Sequence, residues 1–138
     1  MDGDVSQLKS MLLKSGKSIT KQRFFVFNEL SQSDKPLLLT ELIRNLNDRV
    51  DKVSVYRTID LFEKLGVVDR VWNGFKSRIE LSDAFSPHHH HFTCVSCAST
   101  VGVESDEIET ALQKLENSNG FSLTHHSIEL RGFCENCK

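Results

Sequence analysis

Val67-Val68-Asp69-Arg70-Val71-Trp72-Asn73-Gly74-Phe75-Lys76-Ser77-Arg78-Ile79-Glu80-Leu81 is where the hydrophobic period of this chain changes. Val67–Trp72 and Lys76–Leu81 are β-like runs. Asn73-Gly74 between them is a strong hairpin signal, since both residues tolerate the positive φ of a two-residue turn. Upstream the period is helical. Residues 6–15 place Leu8, Met11 and Leu12 at helical spacing, with Gly16 as a stop. Thr20 can cap a second helix bearing Phe24, Phe27 and Leu30 on one face. Thr40 can cap a third, with Leu42, Ile43 and Leu46 facing inward. Val53–Leu65 forms a fourth, with Val55, Ile59 and Phe62 as its stripe and Gly66 as its end. Helices followed by a hairpin predict a winged helix-turn-helix over residues 1–82, whose last helix would enter a DNA major groove.

The whole chain has 138 residues, 38% hydrophobic and 26% charged, enough for one ordinary domain or two small ones. No apolar run approaches the roughly 18 residues of a membrane span. Met1-Asp2-Gly3-Asp4 lacks a signal-peptide pattern, so the expected location is cytoplasmic, with no membrane partner. The net charge of −2 hides an asymmetry: residues 1–82 carry 14 Lys and Arg against 11 Asp and Glu, residues 83–138 only 3 against 8. A basic front and an acidic rear suggest two jobs.

The rear begins after a hinge expected at 83–87, and residues 88–138 read as a small α/β domain, making the whole an α+β chain. Its opening stretch is Pro87-His88-His89-His90-His91-Phe92-Thr93-Cys94-Val95-Ser96-Cys97, and a second Cys-x-x-Cys, Cys134 and Cys137, closes the chain. Imidazole and thiolate are the strongest side-chain ligands for transition metals. Phe92–Cys94 and Thr100–Val103 look like strands around a cysteine knuckle. Ser105 can cap a helix to about Asn117, with Ile108, Leu112 and Leu115 on its apolar face. Asn119-Gly120 breaks that helix, and Phe121–Leu130 reads as a returning strand. A unit of about 50 residues is marginal alone, so metal or a partner chain would stabilise it. If the histidines are extended, His88 and His90 share one face while His89 and His91 share the other.

Several segments together resemble the ferric uptake regulator family of bacterial metal-dependent repressors. They are Thr20-Lys21-Gln22-Arg23, Val53-Ser54-Val55-Tyr56-Arg57-Thr58-Ile59, Leu61-Phe62-Glu63-Lys64-Leu65-Gly66-Val67-Val68, the histidine run with its Cys-x-x-Cys, and Gly132-Phe133-Cys134-Glu135-Asn136-Cys137. The resemblance spans nearly everything from Thr20 to Cys137. It implies a homodimer that binds double-stranded DNA at a palindromic AT-rich operator and represses metal-uptake genes. It implies DNA contacts by Tyr56 and Arg57 and a minor-groove role near Lys17, one residue from the matching position. Beside these, Ser54 can hydrogen-bond to DNA backbone or base, and Arg23 at the start of the second helix is expected to contact phosphate.

For metals it implies a structural Zn2+ on Cys94, Cys97, Cys134 and Cys137, and a site within the rear domain on His88, His90, Glu109 and His126. A regulatory site between domains would use Glu80, His89 and His91. That last set departs from the family pattern: no histidine lies in Asp34-Lys35-Pro36-Leu37-Leu38, and Gly102 stands where an acid is expected, with Glu104 and His125 nearby. The second metal is expected to be Fe2+ or Zn2+, with Mn2+ behind them.

Other readings stay open at this point. They are a peroxide-sensing member of the same family, a zinc-stapled interaction module without a DNA role, a redox Cys-x-x-Cys, and a zinc hydrolase or deaminase. The deaminase signature of His-x-Glu with Pro-Cys-x-x-Cys is absent from the chain, and the expectation is a non-enzyme with no small-molecule substrate.

Overall fold

Thr20 begins the second helix as the residue types dictate: its Oγ1 accepts the Arg23 amide at 3.2 Å, satisfying one of the free donors of the first turn. In this computed structural model, which describes residues 2–73 and 75–138, the chain divides into two units, Met1–Pro87 and His88–Lys138. The first unit runs α1 (Asp2–Lys14), α2 (Lys21–Gln32), β1 (Leu37–Leu38), α3 (Leu39–Leu46), α4 (Lys52–Leu65), β2 (Val68–Asn73) and β3 (Lys76–Leu81). Replacing Thr20 with alanine is expected to cost about 1 kcal/mol. A urea titration should show a lower midpoint at unchanged slope, and an unmoved midpoint would remove the cap from the account.

The apolar stripes predicted for these helices meet in one core, where Leu8, Leu12, Phe27, Leu42, Leu46, Ile59 and Phe62 are buried. The exception is on α2, where Val26 and Phe25 join Phe27 and Leu30 in the core and the predicted Phe24 does not. Phe27 meets Phe85 edge-to-face, with ring centroids 5.0 Å apart. Helix α4 ends at Gly66, whose φ of 75° is left-handed, a conformation glycine adopts without steric cost. Helix α3 differs from expectation. Thr40 lies inside it, and Leu38 is the cap residue, its amide donating to the Glu41 carboxylate at 2.8 Å. The cause is β1, since Leu37 and Leu38 pair with Ile79 and Arg78 of β3 and keep the backbone extended up to the helix.

β2 and β3 are antiparallel and pair down to Asn73 opposite Lys76, in a sheet of order β1-β3-β2. Gly74, and with it the predicted Asn73-Gly74 turn, lies outside the described residues. Two ion pairs fasten this hairpin to the helices: Arg70 to Glu63 of α4 at 2.8 Å and Arg78 to Glu41 of α3 at 3.5 Å. The unit is a winged helix-turn-helix, and the chain is α+β.

The second unit runs β4 (His90–Cys94), β5 (Thr100–Val103), α5 (Asp106–Asn119) and β6 (Glu129–Gly132). β4 is central, antiparallel to β5 and parallel to β6. Ser105 caps α5 as predicted, its Oγ accepting the Ile108 amide at 3.3 Å, and Gly120 ends it with φ 68°. No residue of α5 is buried. The strand expected over Phe121–Leu130 is confined to Glu129–Gly132. Before it, the Leu123 amide bonds to the Glu116 carboxylate at 2.7 Å and His126 turns toward Glu109, so this stretch follows α5 instead of the sheet. Among the described residues, no helix is long and apolar enough to cross a membrane.

Candidate metal centres and nucleic-acid interface

Cys94 ends β4 and Cys97 follows on a tight knuckle, in which the Ala98 amide bonds to the Cys94 carbonyl at 2.9 Å. The second knuckle follows β6, where Cys137 and Lys138 amides both bond to the Cys134 carbonyl at 3.0 Å. Because β6 pairs beside β4, with Gly132 opposite Cys94, the two knuckles meet. One ligand atom from each of Cys94, Cys97, Cys134 and Cys137 lies within 4.8 Å of the others, and the Cys97 and Cys134 sulfurs are 3.8 Å apart. A tetrahedron with zinc–sulfur bonds of about 2.3 Å has edges of about 3.8 Å, so the set fits Zn2+ with no open position.

The electrostatics agree. Amides of Cys97 and Cys134 point at the Cys94 sulfur at 3.5 and 3.4 Å and hold that thiol down to about 6. Cys137, crowded first by the Cys134 sulfur, is pushed up to about 12. Four sulfurs at these distances do not all ionise without a dication among them.

The histidine run alternates as strand geometry demands, although only His90 and His91 lie in β4. The rings of His88 and His90 are 4.8 Å apart, as are those of His89 and His91. On the first face, His90 Nε2 is 2.7 Å from Glu109 Oε1, and His126 Nε2 is 3.1 Å from Glu109 Oε2. His88 Nε2 lies 2.9 Å from His126 Nε2 and 3.4 Å from Glu109 Oε1. All three imidazoles thus offer Nε2 to one point. Bonds of about 2.0–2.1 Å in a tetrahedron give edges of about 3.3 Å, so three nitrogens and one carboxylate fit a divalent transition metal. The hydrogen bond from His90, ahead of those from His126, holds the Glu109 carboxyl below its ordinary value despite partial burial, which keeps it ionised as a ligand must be. The far nitrogen of buried His90, Nδ1, has no hydrogen-bond partner among the described residues. Four ligands from β4, the segment before it, α5 and the segment after α5 therefore converge where the fold otherwise buries nothing of α5.

The third predicted set is divided between the units. Glu80 lies on β3, in register with Asp69, whereas His89 and His91 belong to the second unit. Gly102, where the resemblance expects an acid, sits on β5 opposite His91. A Cβ at Gly102 would come 3.1 Å from Cδ2 of His89, so the imidazole occupies the space beside that glycine. Glu104 and His125, the nearby substitutes, are exposed.

On α4, Val55, Thr58, Ile59 and Phe62 face the core, and Leu61 packs against it. The opposite face exposes Lys52, Val53, Tyr56, Arg57, Asp60 and Lys64. Ser54 is committed locally: its amide and hydroxyl both donate to Asp51, at 3.1 and 2.9 Å. Arg23 also has a local partner, donating to the Ser18 carbonyl at 2.5 Å at the surface, so it braces the turn between α1 and α2. Lys17 is exposed on that turn. Asp51 and Lys52, which begin α4, have no role in the sequence reading, although an Asp immediately before a helical stripe is a readable cap signal.

A winged helix joined to a unit with a four-thiolate cluster and a histidine–glutamate cluster defines a metal-binding winged-helix protein. The chain belongs to the ferric uptake regulator family, whose model matches residues 14–131; these are metal-responsive transcription regulators. A ferric uptake regulation protein of Brucella suis is 32% identical over 131 residues, covering 92% of this chain and 90% of the relative. The ferric uptake regulator of Vibrio cholerae superposes with TM-score 0.74 at 29% identity, covering 91% of this chain and 98% of that one. That of Helicobacter pylori, described as having three functional metal-binding sites, superposes at 0.82 with 24% identity, covering 99% and 92%.

Proposed function

We propose that this chain is a metal-dependent transcriptional repressor of metal-uptake genes, acting in the cytoplasm as a homodimer on a palindromic AT-rich operator. The observation that carries the reading is the convergence of His88, His90, Glu109 and His126 on one point in a chain whose other unit is a winged helix. In this reading Tyr56 and Arg57 face the major groove, Ser54 contributes through its remaining lone pairs, and Arg23 and Lys17 face phosphates and the adjacent minor groove. Cys94, Cys97, Cys134 and Cys137 hold structural Zn2+. Glu80, His89 and His91 form a regulatory site across a hinge at 83–87, through which a metal would set how the two domains are disposed.

Support for a second copy comes from apolar side chains exposed on the rear unit, among them Phe92, Val101, Leu115 and Phe133, at 46, 58, 59 and 63%. Exposed apolar side chains of this size suit an interface, and a two-fold dimer would present two reading helices to two half-sites. The sensed ion is Fe2+ or Zn2+, since imidazole and carboxylate suit both and the affinity order places Mn2+ below them. Gly102 weighs against the peroxide-sensing alternative, because the acid that branch uses is absent there.

Operator binding by protein that retains its cysteine-bound zinc is expected to weaken about 5–150-fold when a mild chelator removes the second metal, the usual range of coupling between sites. Fluorescence anisotropy on a labelled duplex, repeated with Fe2+ and Zn2+ added back, measures it. Equal affinity in both states would sink the proposed metal control.

A further inference from the structure

Lys52 opens α4, and its ammonium lies 5.8 Å from the centre of the Tyr56 ring one turn on, within cation–π range. Among the described residues it forms no ion pair. Immediately before it, both carboxylate oxygens of Asp51 are engaged at the helix N-terminus, Oδ1 by the Ser54 amide and Oδ2 by the Ser54 hydroxyl. These bonds, helped by the Arg57 charge, hold the Asp51 carboxyl below its ordinary value, so it is an anion at neutral pH. The free amides of a DNA-facing helix N-terminus ordinarily suit a backbone phosphate. Here a carboxylate already occupies that position, and a phosphate brought to it would meet like charge.

Resting on the reading of α4 as the DNA-facing helix, we propose that Lys52 is a phosphate-contacting residue and that Asp51 keeps phosphate off the helix N-terminus. The backbone anchor of α4 is then a side-chain ammonium laid along the Tyr56 ring, not the main chain. Tyr56 acts as a positioning residue for Lys52 in addition to its place on the exposed face. Because the ammonium is a point charge without a directional fork, this anchor adds affinity for any duplex and leaves base preference to Tyr56 and Arg57.

The test uses the full-length, metal-loaded protein and a duplex that it enriches from a randomised pool, with affinity followed against salt. Lys52→Ala should reduce the slope of log K on log salt by about 0.9, hence lose about eightfold at 0.1 M salt and almost nothing near 1 M. The loss should be uniform across enriched and random duplexes. Asp51→Asn keeps a capping side chain and should bind more tightly than the parent at low salt. An unchanged slope in Lys52→Ala, while Arg57→Ala weakens binding, would overturn the Lys52 assignment alone. Weaker binding by Asp51→Asn at unaltered thermal stability would overturn the role given to Asp51. A parent protein that enriches no duplex under any metal would overturn both, together with the DNA reading beneath them.

Discussion

Stripping zinc from the four-cysteine cluster is expected to unfold residues 88–138 while the winged helix stays folded. The first unit has its own core around Phe27, Leu42, Ile59 and Phe62, each of them 0 or 1% exposed. The second has nothing comparable: among the described residues, the buried positions of this unit are His90, His91, Thr93 and Cys94, and α5 buries none. A domain of about 50 residues seldom holds more than about 3–5 kcal/mol in its core. Structural zinc in small finger domains contributes about 10–16 kcal/mol of apparent binding energy at neutral pH, so its loss exceeds what this unit can retain. The same knuckles tie β6 to β4 through the Val95 amide and Gly132 carbonyl at 2.8 Å. Hydrogen exchange of the apo protein, or of Cys97→Ser, should therefore show protection gone from β4 and β6 and kept in α2 and α4. Full protection of β4 in protein shown by metal analysis to be zinc-free would end this account.

What could be read in the sequence was whatever a short-range rule decides. Thr20, Ser105, Gly66 and Gly120 stand at helix ends because a hydroxyl can take an orphan amide and glycine can take a left-handed φ, and neither needs a tertiary partner. The histidine faces were legible for the same reason: alternation in an extended backbone holds even for His88 and His89, which lie before the strand. The start of α3 was not legible. Thr40 is as good a cap by type as Thr20, but Leu37 and Leu38 are drawn into pairing with β3, 40 or more residues away in sequence, and Glu41 takes the cap amide instead.

The segment 121–128 failed for a similar reason. Its residue types suit a strand, yet Glu116 and Glu109 on α5 offer bonds to Leu123 and His126 that the sheet does not. Ser54 shows the limit on α4. Its type and position fit a DNA contact, but in the folded chain its hydroxyl serves the cap at Asp51.

Replacing His90 with alanine should abolish tight binding of the second metal and release α5. His90 is 1% exposed and supplies the shortest contact of the cluster, 2.7 Å to Glu109, so the substitution removes a ligand and leaves the Glu109 charge without its nearest partner. Loss of an outer-shell partner alone costs about 10–100-fold in metal affinity, and loss of a direct ligand should exceed that. Because a cavity at His90 could itself unsettle β4, Glu109→Gln serves as the second variant: it lies on partly exposed α5, keeps side-chain size and removes the carboxylate.

Both variants should retain zinc on the cysteines and lose the further metal in elemental analysis after dialysis, and exchange should quicken throughout α5. His89→Ala, on the opposite face of the same run, should leave this affinity within a few-fold, because its ring lies toward Gly102 and His91. If His89→Ala and His90→Ala weakened the second metal equally, the run would act as a single cluster, and the division into two sites would be wrong. Alternation gives the two variants opposite outcomes because neighbouring residues of an extended chain cannot point the same way.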